Sequence, residues 1–146
     1  MNKILVALTL LIFAGGLAAQ ASDLVIESKS QSYAESENKI KFDGNVKVSI
    51  DDLKVVGESA DVDMDDNQQL DTATFYDKPY AYEIKKNKKR EVKANILKVS
   101  LITKVVRAEG DTQSVVFNGK TPIVVINSDV QEYNTKTGVM TATGMV

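Results

Sequence analysis

Two short motifs hold the residues best suited to catalysis, and both resemble motifs of serine acyl-enzymes. They are Ser36-Glu37-Asn38-Lys39 and Lys136-Thr137-Gly138. In that chemistry the serine and the lysine lie one turn apart on a helix, and a Ser-Asp-Asn element completes the set. Here the first motif falls at a predicted β-turn, and the sequence contains no Ser-Asp-Asn element. We interpret both motifs as chance matches and predict that the protein is not an enzyme.

The composition removes most other catalytic chemistry. The 146 residues include no histidine, no cysteine and no tryptophan. An imidazole base, a thiolate nucleophile, a Cys/His zinc site and a disulfide are therefore excluded. The sequence also lacks a phosphate-binding loop. We expect neither a metal ion nor a cofactor.

An acidic cluster formed by Asp61, Asp63, Asp65 and Asp66 is the remaining candidate for a metal site. Carboxylates spaced two residues apart can bind calcium, but an EF-type loop needs glycine at its sixth place and glutamate at its twelfth. Those places hold Asp66 and Thr72. A solvated strand face is the favoured interpretation.

The chain is weakly acidic overall but contains one basic cluster. Its formal net charge is −2, so a general attraction to nucleic acid or to an anionic membrane is not favoured. The basic cluster runs from Lys85 to Arg90, at a predicted hairpin turn between Ile84 and Val92. It is either a solubilising turn or a rim that meets lipid phosphates or an acidic partner surface.

Residues 1–21 have the pattern of a secretory signal peptide. A basic start at Lys3 precedes an apolar run from Ile4 to Leu17 and the small-x-small motif Ala19-Gln20-Ala21. The run is short for a bilayer span. Cleavage after Ala21 is predicted to leave one exported domain, residues 22–146, which is long enough for a single core. The alternative is an uncleaved apolar anchor or a buried helix.

Composition and periodicity predict that the exported domain is all-β. It contains 17 valines and 5 leucines, and β-branched residues favour strands. From Ile40 to Ile50 apolar and polar residues largely alternate, as in a half-buried strand. The alternation returns around Tyr82 and Val130. Asn118-Gly119 is the best signal for a two-residue hairpin turn.

The sequence also repeats itself. Residues 28–44, 94–110 and 128–144 each run from a small residue to a glycine, and residues 60–76 form a more degenerate copy that ends in Tyr76. In the three clearer copies an aromatic residue or valine holds the sixth place, and an apolar residue lies four places before the glycine. We predict about four stacked hairpin repeats, since one such unit cannot bury its apolar face alone.

Three motifs in sequence order resemble the OstA-like (LptA) family. Residues 38–48 (NKIKFDGNVKV) have an apolar-x-Gly-Asn-Val pattern, and residues 55–62 (VVGESADV) resemble the strand that follows it. Residues 75–79 (FYDKP) occupy the place of a Gly-Lys-Pro-like turn. The resemblance covers essentially the whole exported domain, and the export signal that precedes the domain adds weight to it. Tyr76 is a departure, because the other repeats close with glycine.

The resemblance implies a twisted, open antiparallel β-jelly roll located in the periplasm. It implies lipopolysaccharide as the ligand, with the acyl chains of lipid A between apolar inner faces. The implied partners are the inner-membrane and outer-membrane components of lipopolysaccharide transport, and not nucleic acid. Two alternatives are a membrane-tethered LptC-like component of the same pathway and a non-enzymatic carbohydrate-binding or adhesion module with aromatic residues on a flat outer face.

Alternation selects the side chains that we expect to face inward, either as a dry core or as a lining for lipid. The predicted lipid-binding set is Ile40, Phe42, Val46, Val48, Ile50, Val62, Met64, Phe75, Tyr80, Tyr82, Ile84, Ile96, Val106, Phe117, Val125, Val130 and Met140.

The last repeat is expected to leave an open sheet edge. The segment Gly144-Met145-Val146 repeats the start of Gly44-Asn45-Val46, and neither of its last two residues blunts an edge. We predict that this edge pairs with the N-terminal strand of another copy by strand addition, and the resemblance implies the same head-to-tail homo-oligomer. The alternative is a frayed terminus. The predicted assembly edges are Leu24, Val25, Ile26, Met145 and Val146.

Overall fold

The structure, a computed structural model, describes residues 24–146, and this part of the chain is an antiparallel β-protein. The predicted all-β fold is confirmed, whereas the predicted signal peptide lies outside the described residues. Within the described range, no helix has the length and apolar character needed to cross a membrane. A short 3-10 turn covers Glu35–Glu37. The strands are β1 (Leu24–Glu27), β2 (Ser30–Ala34), β3 (Lys39–Ile50), β4 (Leu53–Met64), β5 (Leu70–Tyr76), β6 (Tyr80–Lys85), β7 (Lys88–Lys93), β8 (Ile96–Ser100), β9 (Val105–Asn118), β10 (Thr121–Asn134) and β11 (Met140–Thr143).

The strands form two facing sheets that share four long strands. β3, β4, β9 and β10 each contribute one half to the first sheet and the other half to the second. The first sheet has the order β2-β3-β4-β5-β8-β9-β10-β11. The second has the order β1-β3-β4-β6-β7-β9-β10. All pairs are antiparallel, so this is the open two-sheet jelly roll that the family resemblance implies.

Two of the long strands bend from the first sheet into the second at corners where two successive residues have positive φ. Gly44 and Asn45 have φ values of 85° and 50°, and Gly110 and Asp111 have values of 82° and 47°. Glycine adopts this left-handed conformation without the steric cost of a side chain. A Cβ atom at Gly110 would also lie 2.6 Å from Nδ2 of Asn95. The glycines that close the first and third repeats are therefore set by the geometry of the corners.

Three of the sequence repeats have the same strand register, and the second repeat differs. In the second repeat Val62 pairs with Ala73, whereas the register of the others would pair it with Phe75. β5 then ends at Tyr76, and a turn through residues 77–78 leads to the separate strand β6. Tyr76 replaces glycine here because the strand stops instead of bending. In the other repeats the two shared apolar positions are cross-strand pairs, namely Tyr33 with Ile40, Val99 with Val106, and Tyr133 with Met140.

The core lies between the two sheets, mainly against β3, β4, β5 and β8. Phe42 and Phe75 are its largest side chains and are at most 1% exposed. Val48, Val55 and Val62 have no measurable exposure. Because side chains alternate along a strand, the intervening polar residues of β3 point to solvent.

The hairpin predicted at Asn118-Gly119 joins β9 and β10. Its two loop residues are Gly119 and Lys120, since Asn118 pairs with Thr121. Gly119 takes the left-handed conformation, with φ of 63°. This hairpin spans both sheets and leaves the first half of β10 as an edge of the second sheet.

Candidate functional site

Ten of the seventeen residues predicted to bind lipid lie on the inner faces of the sheets. All except Met140 belong to a single apolar core or pack against it. The ten are Ile40, Phe42, Val46, Val48, Ile50, Val62, Met64, Phe75, Val106 and Met140.

The other seven residues lie on the outer faces, so their predicted inward orientation is wrong. In β6 the inward residue is Ala81, which is 2% exposed and pairs with Val55 and Val92. Its neighbours therefore point outward. The same reasoning applies in β8, where Leu97 takes the inward place, and around Val116 in β9. The seven are Tyr80, Tyr82, Ile84, Ile96, Phe117, Val125 and Val130.

The interior becomes polar where β6 faces the second half of β10. Glu83 is 4% exposed on the inner face of the second sheet and accepts a 2.6 Å hydrogen bond from the Tyr133 hydroxyl of the first sheet. The guanidinium of Arg90 lies 5.0 Å from the centroid of the Tyr133 ring, and Nζ of Lys85 lies 3.4 Å from the Glu83 carboxylate. Burial, followed by the hydrogen bond to Glu83, raises the pKa of Tyr133 to about 12. The tyrosine therefore stays protonated at neutral pH and joins the two sheets.

A second polar group lies on the inner faces of β9 and β10. The hydroxyl of Ser114 donates to Oε1 of Gln131, and Nε2 of Gln131 donates to the Ile126 carbonyl at 2.9 Å. The hydroxyl of Thr112 donates to the Ser128 carbonyl at 2.8 Å. In residues 24–146 every buried side-chain nitrogen and oxygen has a hydrogen-bond partner. This part of the interior is held by hydrogen bonds rather than by apolar packing.

The sheet ends opposite the corners are linked by polar contacts. Lys104 forms a 2.8 Å ion pair with Asp51, between a turn of the first sheet and a turn of the second. Nζ of Lys85 donates to the Thr135 carbonyl at 3.0 Å. The space near Tyr133 measures only about 10 Å³. A ligand could enter here only if the sheets separated.

The interior is nevertheless open to solvent at an edge of each sheet. Val124 in the first half of β10 pairs with the inward residue Val116 and is still 42% exposed. Tyr33 in β2 pairs with the inward residue Ile40 and is 51% exposed. These two edges are the places where an apolar ligand could reach the inner faces.

On the outer face of the first sheet, basic and acidic side chains form ion pairs with one another. Lys39 lies 3.6 Å from Asp63 and 4.0 Å from Asp61. Nε of Arg107 lies 2.7 Å from Glu109 and an Nη atom lies 2.7 Å from Glu132. Among the residues that the structure describes, no three potential ligands are arranged to hold a metal ion. The acidic cluster therefore forms part of an ion-paired strand surface.

The outer face of the second sheet combines aromatic rings and lysines. The rings of Tyr80 and Tyr82 lie 5.6 Å apart. Lys89 lies over Tyr82 at 5.4 Å, and Lys93 lies over Tyr80 at 5.9 Å. The hydrogen bond to Glu91 raises the pKa of Lys89. Sequence reasoning missed this face because it assigned both tyrosines to the interior.

A recess of about 740 Å³ adjoins this face near the corner at Gly44 and Asn45. Its walls include Lys47, Val56 and Tyr80 of the second sheet and the turn residue Lys78. Glu58 adds a charge of the opposite sign. The recess therefore has no single preferred ligand charge.

Facing antiparallel sheets, an apolar core and open edges define a β-jelly roll with an interior that can be reached from its edges. Residues 25–121 match the family described as LptA/(LptD N-terminal domain) LPS transport protein, where LPS is lipopolysaccharide. The chain belongs to this family, and the relationship predicted from the sequence motifs is confirmed.

Among solved structures the chain is similar to LptH of Pseudomonas aeruginosa, the LptA-homologous periplasmic component of the lipopolysaccharide transport device. The TM-score is 0.72 at 11% sequence identity, and the match covers 84% of this chain and 83% of LptH. At this identity the likeness supports the fold. No curated protein sequence matches the chain significantly.

Proposed function

We propose that this protein is a periplasmic lipopolysaccharide-binding transport protein that shields the acyl chains of lipid A between its two sheets. The supporting observation is an apolar interior, built by both sheets and open at an edge of each, in a member of the lipopolysaccharide transport family. Burial of an acyl chain is worth about 0.8 kcal/mol per CH₂. Several chains could therefore bind without a polar recognition code.

The acyl chains enter at the edge formed by the first half of β10. Opening this end exchanges hydrogen bonds of Tyr133 and Gln131 for bonds to water, at a net cost of about 0.5–1.5 kcal/mol for each neutral bond and about 1.5–3 kcal/mol for the bond to the Glu83 carboxylate. Opening the opposite end would expose Phe42 and Phe75, which are costly to hydrate. Val124 and Ile126 are then the first apolar side chains that an acyl chain meets.

Two neighbours on one strand provide a matched test. Val124 faces inward and Val125 faces outward, and both are exposed. We expect Val124→Asp to weaken binding of intact lipid A at least tenfold, because a carboxylate would face the acyl chains. Val125→Asp should change it less than twofold. Equal effects of the two substitutions, or equal binding of intact and deacylated lipid A by the unsubstituted protein, would reject this mechanism.

We further propose that copies join head to tail by strand addition through β1, which contains the predicted assembly edge Leu24, Val25 and Ile26. β1 forms one edge of the second sheet, and the first half of β10 forms the other. Met145 and Val146 follow β11 and are 88% and 76% exposed. Residues 121–128 of β10 form a longer edge than Met145 and Val146, so we take them as the receiving edge for β1 of another copy. Within this edge Ile123 is 51% exposed.

Mass measured against concentration tests the assembly. The protein should form larger species as its concentration rises, and Ile123→Lys should prevent this by placing a charge at the edge. Ile102→Lys is the matched control, since Ile102 is 55% exposed in the turn after β8. A strict monomer at high concentration would exclude self-assembly.

Cell fractionation with N-terminal sequencing tests the location. A periplasmic chain that begins at Ser22 fits cleavage after Ala21 and a bridge between inner-membrane and outer-membrane transport components. A retained apolar N-terminus would instead favour the membrane-tethered LptC-like alternative.

A further inference from the structure

We propose that the far end of the second sheet is a docking surface for an anionic membrane. This surface, the basic tip, consists of the adjacent hairpin ends of β6–β7 and β9–β10. The two ends are joined where Gly119 N donates to the Asn87 carbonyl at 3.3 Å and where Lys88 pairs with Asn118. The lysines of the basic tip are Lys85, Lys86, Lys88, Lys89 and Lys120.

Charge is concentrated at this end of the molecule. Residues 80–93 contain six basic and two acidic side chains, a net charge of +4, whereas the whole chain has a net charge of −2. The remainder therefore has a net charge of −6. Each of the two acids lies beside a lysine of the tip, since Glu83 lies 3.4 Å from Lys85 and Glu91 lies 2.9 Å from Lys89. The weakly acidic total thus hides a local cationic surface, and local potential governs attraction at short range.

Apolar side chains lie within this cationic surface. Ile84, Lys89, Phe117 and Pro122 form one row across four strands on the outer face. Ile84 is 56% exposed, and Val125 in the next row is 54% exposed. Lys89 lies in this row, Lys86 and Lys120 lie in the two adjacent turns, and Lys85 and Lys88 lie at the same tip on the opposite face. Exposed apolar groups beside lysines suit the boundary between lipid headgroups and acyl chains, because the lysine stems lie along apolar surface while their ammonium groups meet phosphates.

The outer face of the first sheet provides the contrast that makes the proposal specific. There Lys39, Lys98 and Arg107 each lie within 4.0 Å of a carboxylate on the same face. At the basic tip Lys85 and Lys89 also lie within 4.0 Å of a carboxylate, but Lys86, Lys88 and Lys120 have no carboxylate of the described residues within that distance. An anionic bilayer should therefore select the second sheet. This inference does not depend on lipid A binding in the interior.

Flotation of the full chain with lipid vesicles tests the proposal. We expect binding to vesicles of phosphatidylethanolamine and phosphatidylglycerol in a 3:1 ratio, and little binding to pure phosphatidylcholine. Binding should weaken as salt rises, since the attraction is screened. The double variant Lys86→Gln/Lys88→Gln should bind about 25-fold more weakly, which is about fivefold or about 1 kcal/mol for each lysine.

The double variant Lys41→Gln/Lys98→Gln makes the same charge change on the other outer face and should bind within twofold of the unsubstituted protein. Ile84→Thr should weaken binding several-fold while keeping the salt dependence, and Ile102→Thr is its control. Circular dichroism checks the fold of each variant. The proposal is overturned by equal binding to both vesicle types, by equal losses in the two double variants, or by binding that ignores salt, as expected if the apolar N-terminal run were responsible.

Discussion

The interior around β3, β4 and β5 is held by apolar contacts, whereas the interior around β9 and β10 is held by hydrogen bonds. Phe42 and Phe75 fill the first region. Thr112, Ser114 and Gln131 take inward positions in the second. Apolar surface costs about 25 cal/mol per Å² to expose, while a hydrogen bond can be exchanged for one to water at small net cost. The first region is therefore the costlier of the two to expose to water, and the second is the less costly.

The largest expected effect is the loss of an aromatic ring from the apolar region. Phe75→Ala should lower the free energy of unfolding by about 3–5 kcal/mol, because it removes a fully buried side chain and leaves a cavity. Phe117→Ala is the matched control, since that ring lies on the outer face of the second sheet and is partly exposed. Urea denaturation measures both. Similar losses would mean that the apolar region has no special role in stability.

A substitution in the hydrogen-bonded region should cost less. Gln131→Leu leaves the Ser114 hydroxyl and the Ile126 carbonyl without their partner, so we expect a loss of about 1–3 kcal/mol. Adding Ser114→Ala should recover part of this loss, because it removes the hydroxyl that Gln131→Leu leaves without a partner. A double-mutant cycle by urea denaturation measures the coupling. Strict additivity would show that the two side chains do not act together.

The link between Glu83 and Tyr133 should make stability depend on alkaline pH. The pKa of Tyr133 is raised from its ordinary value of 10.0 to about 12 in the folded protein, so the folded state holds this proton more tightly than the unfolded state. The resulting stabilisation is complete below pH 10 and is lost as pH rises through 12. Unfolding measured from pH 9 to 12 should show a steeper loss for the unsubstituted protein than for Tyr133→Phe. Parallel profiles would contradict the assignment.

The smallest effect is expected on the outer face of the first sheet. Lys98 lies 3.6 Å from Glu109, and the two side chains are 44% and 30% exposed. Exposed ion pairs contribute little, so Lys98→Gln should change the free energy of unfolding by less than about 1 kcal/mol. Thermal denaturation measures this change. A larger loss would mean that the ion-paired face, rather than the apolar interior, holds the first sheet together.

The architecture could be predicted from sequence because local patterns encode it. The alternation from Ile40 to Ile50 identifies the buried face of β3, and Gly44 and Gly110 mark corners that require positive φ. Both signals depend on neighbouring residues only. The repeats add the strand register, since three of them pair their shared positions in the same way.

The residues that line the interior were harder to predict, because the face of a strand depends on pairing with strands that are distant in the sequence. In β6 the residues Tyr80 and Tyr82 are larger than Ala81 and more apolar than Glu83, so alternation alone assigns the wrong face. Only the register with the buried Val55 reverses it. A buried Glu83 has no local signal either, because its partner Tyr133 lies fifty residues away.

The bent corners also determine how much length one repeat unit adds to the two-sheet structure. Residues 96–127 supply two strands to each sheet, β8 with the first half of β9 and the second half of β9 with the first half of β10. Neighbouring strands lie about 4.8 Å apart, so one such unit lengthens the space between the two sheets by about 10 Å. The bend of this unit lies within it, at Gly110 and Asp111, so a further unit of the same kind would carry its own bend and would leave the strands already present unchanged.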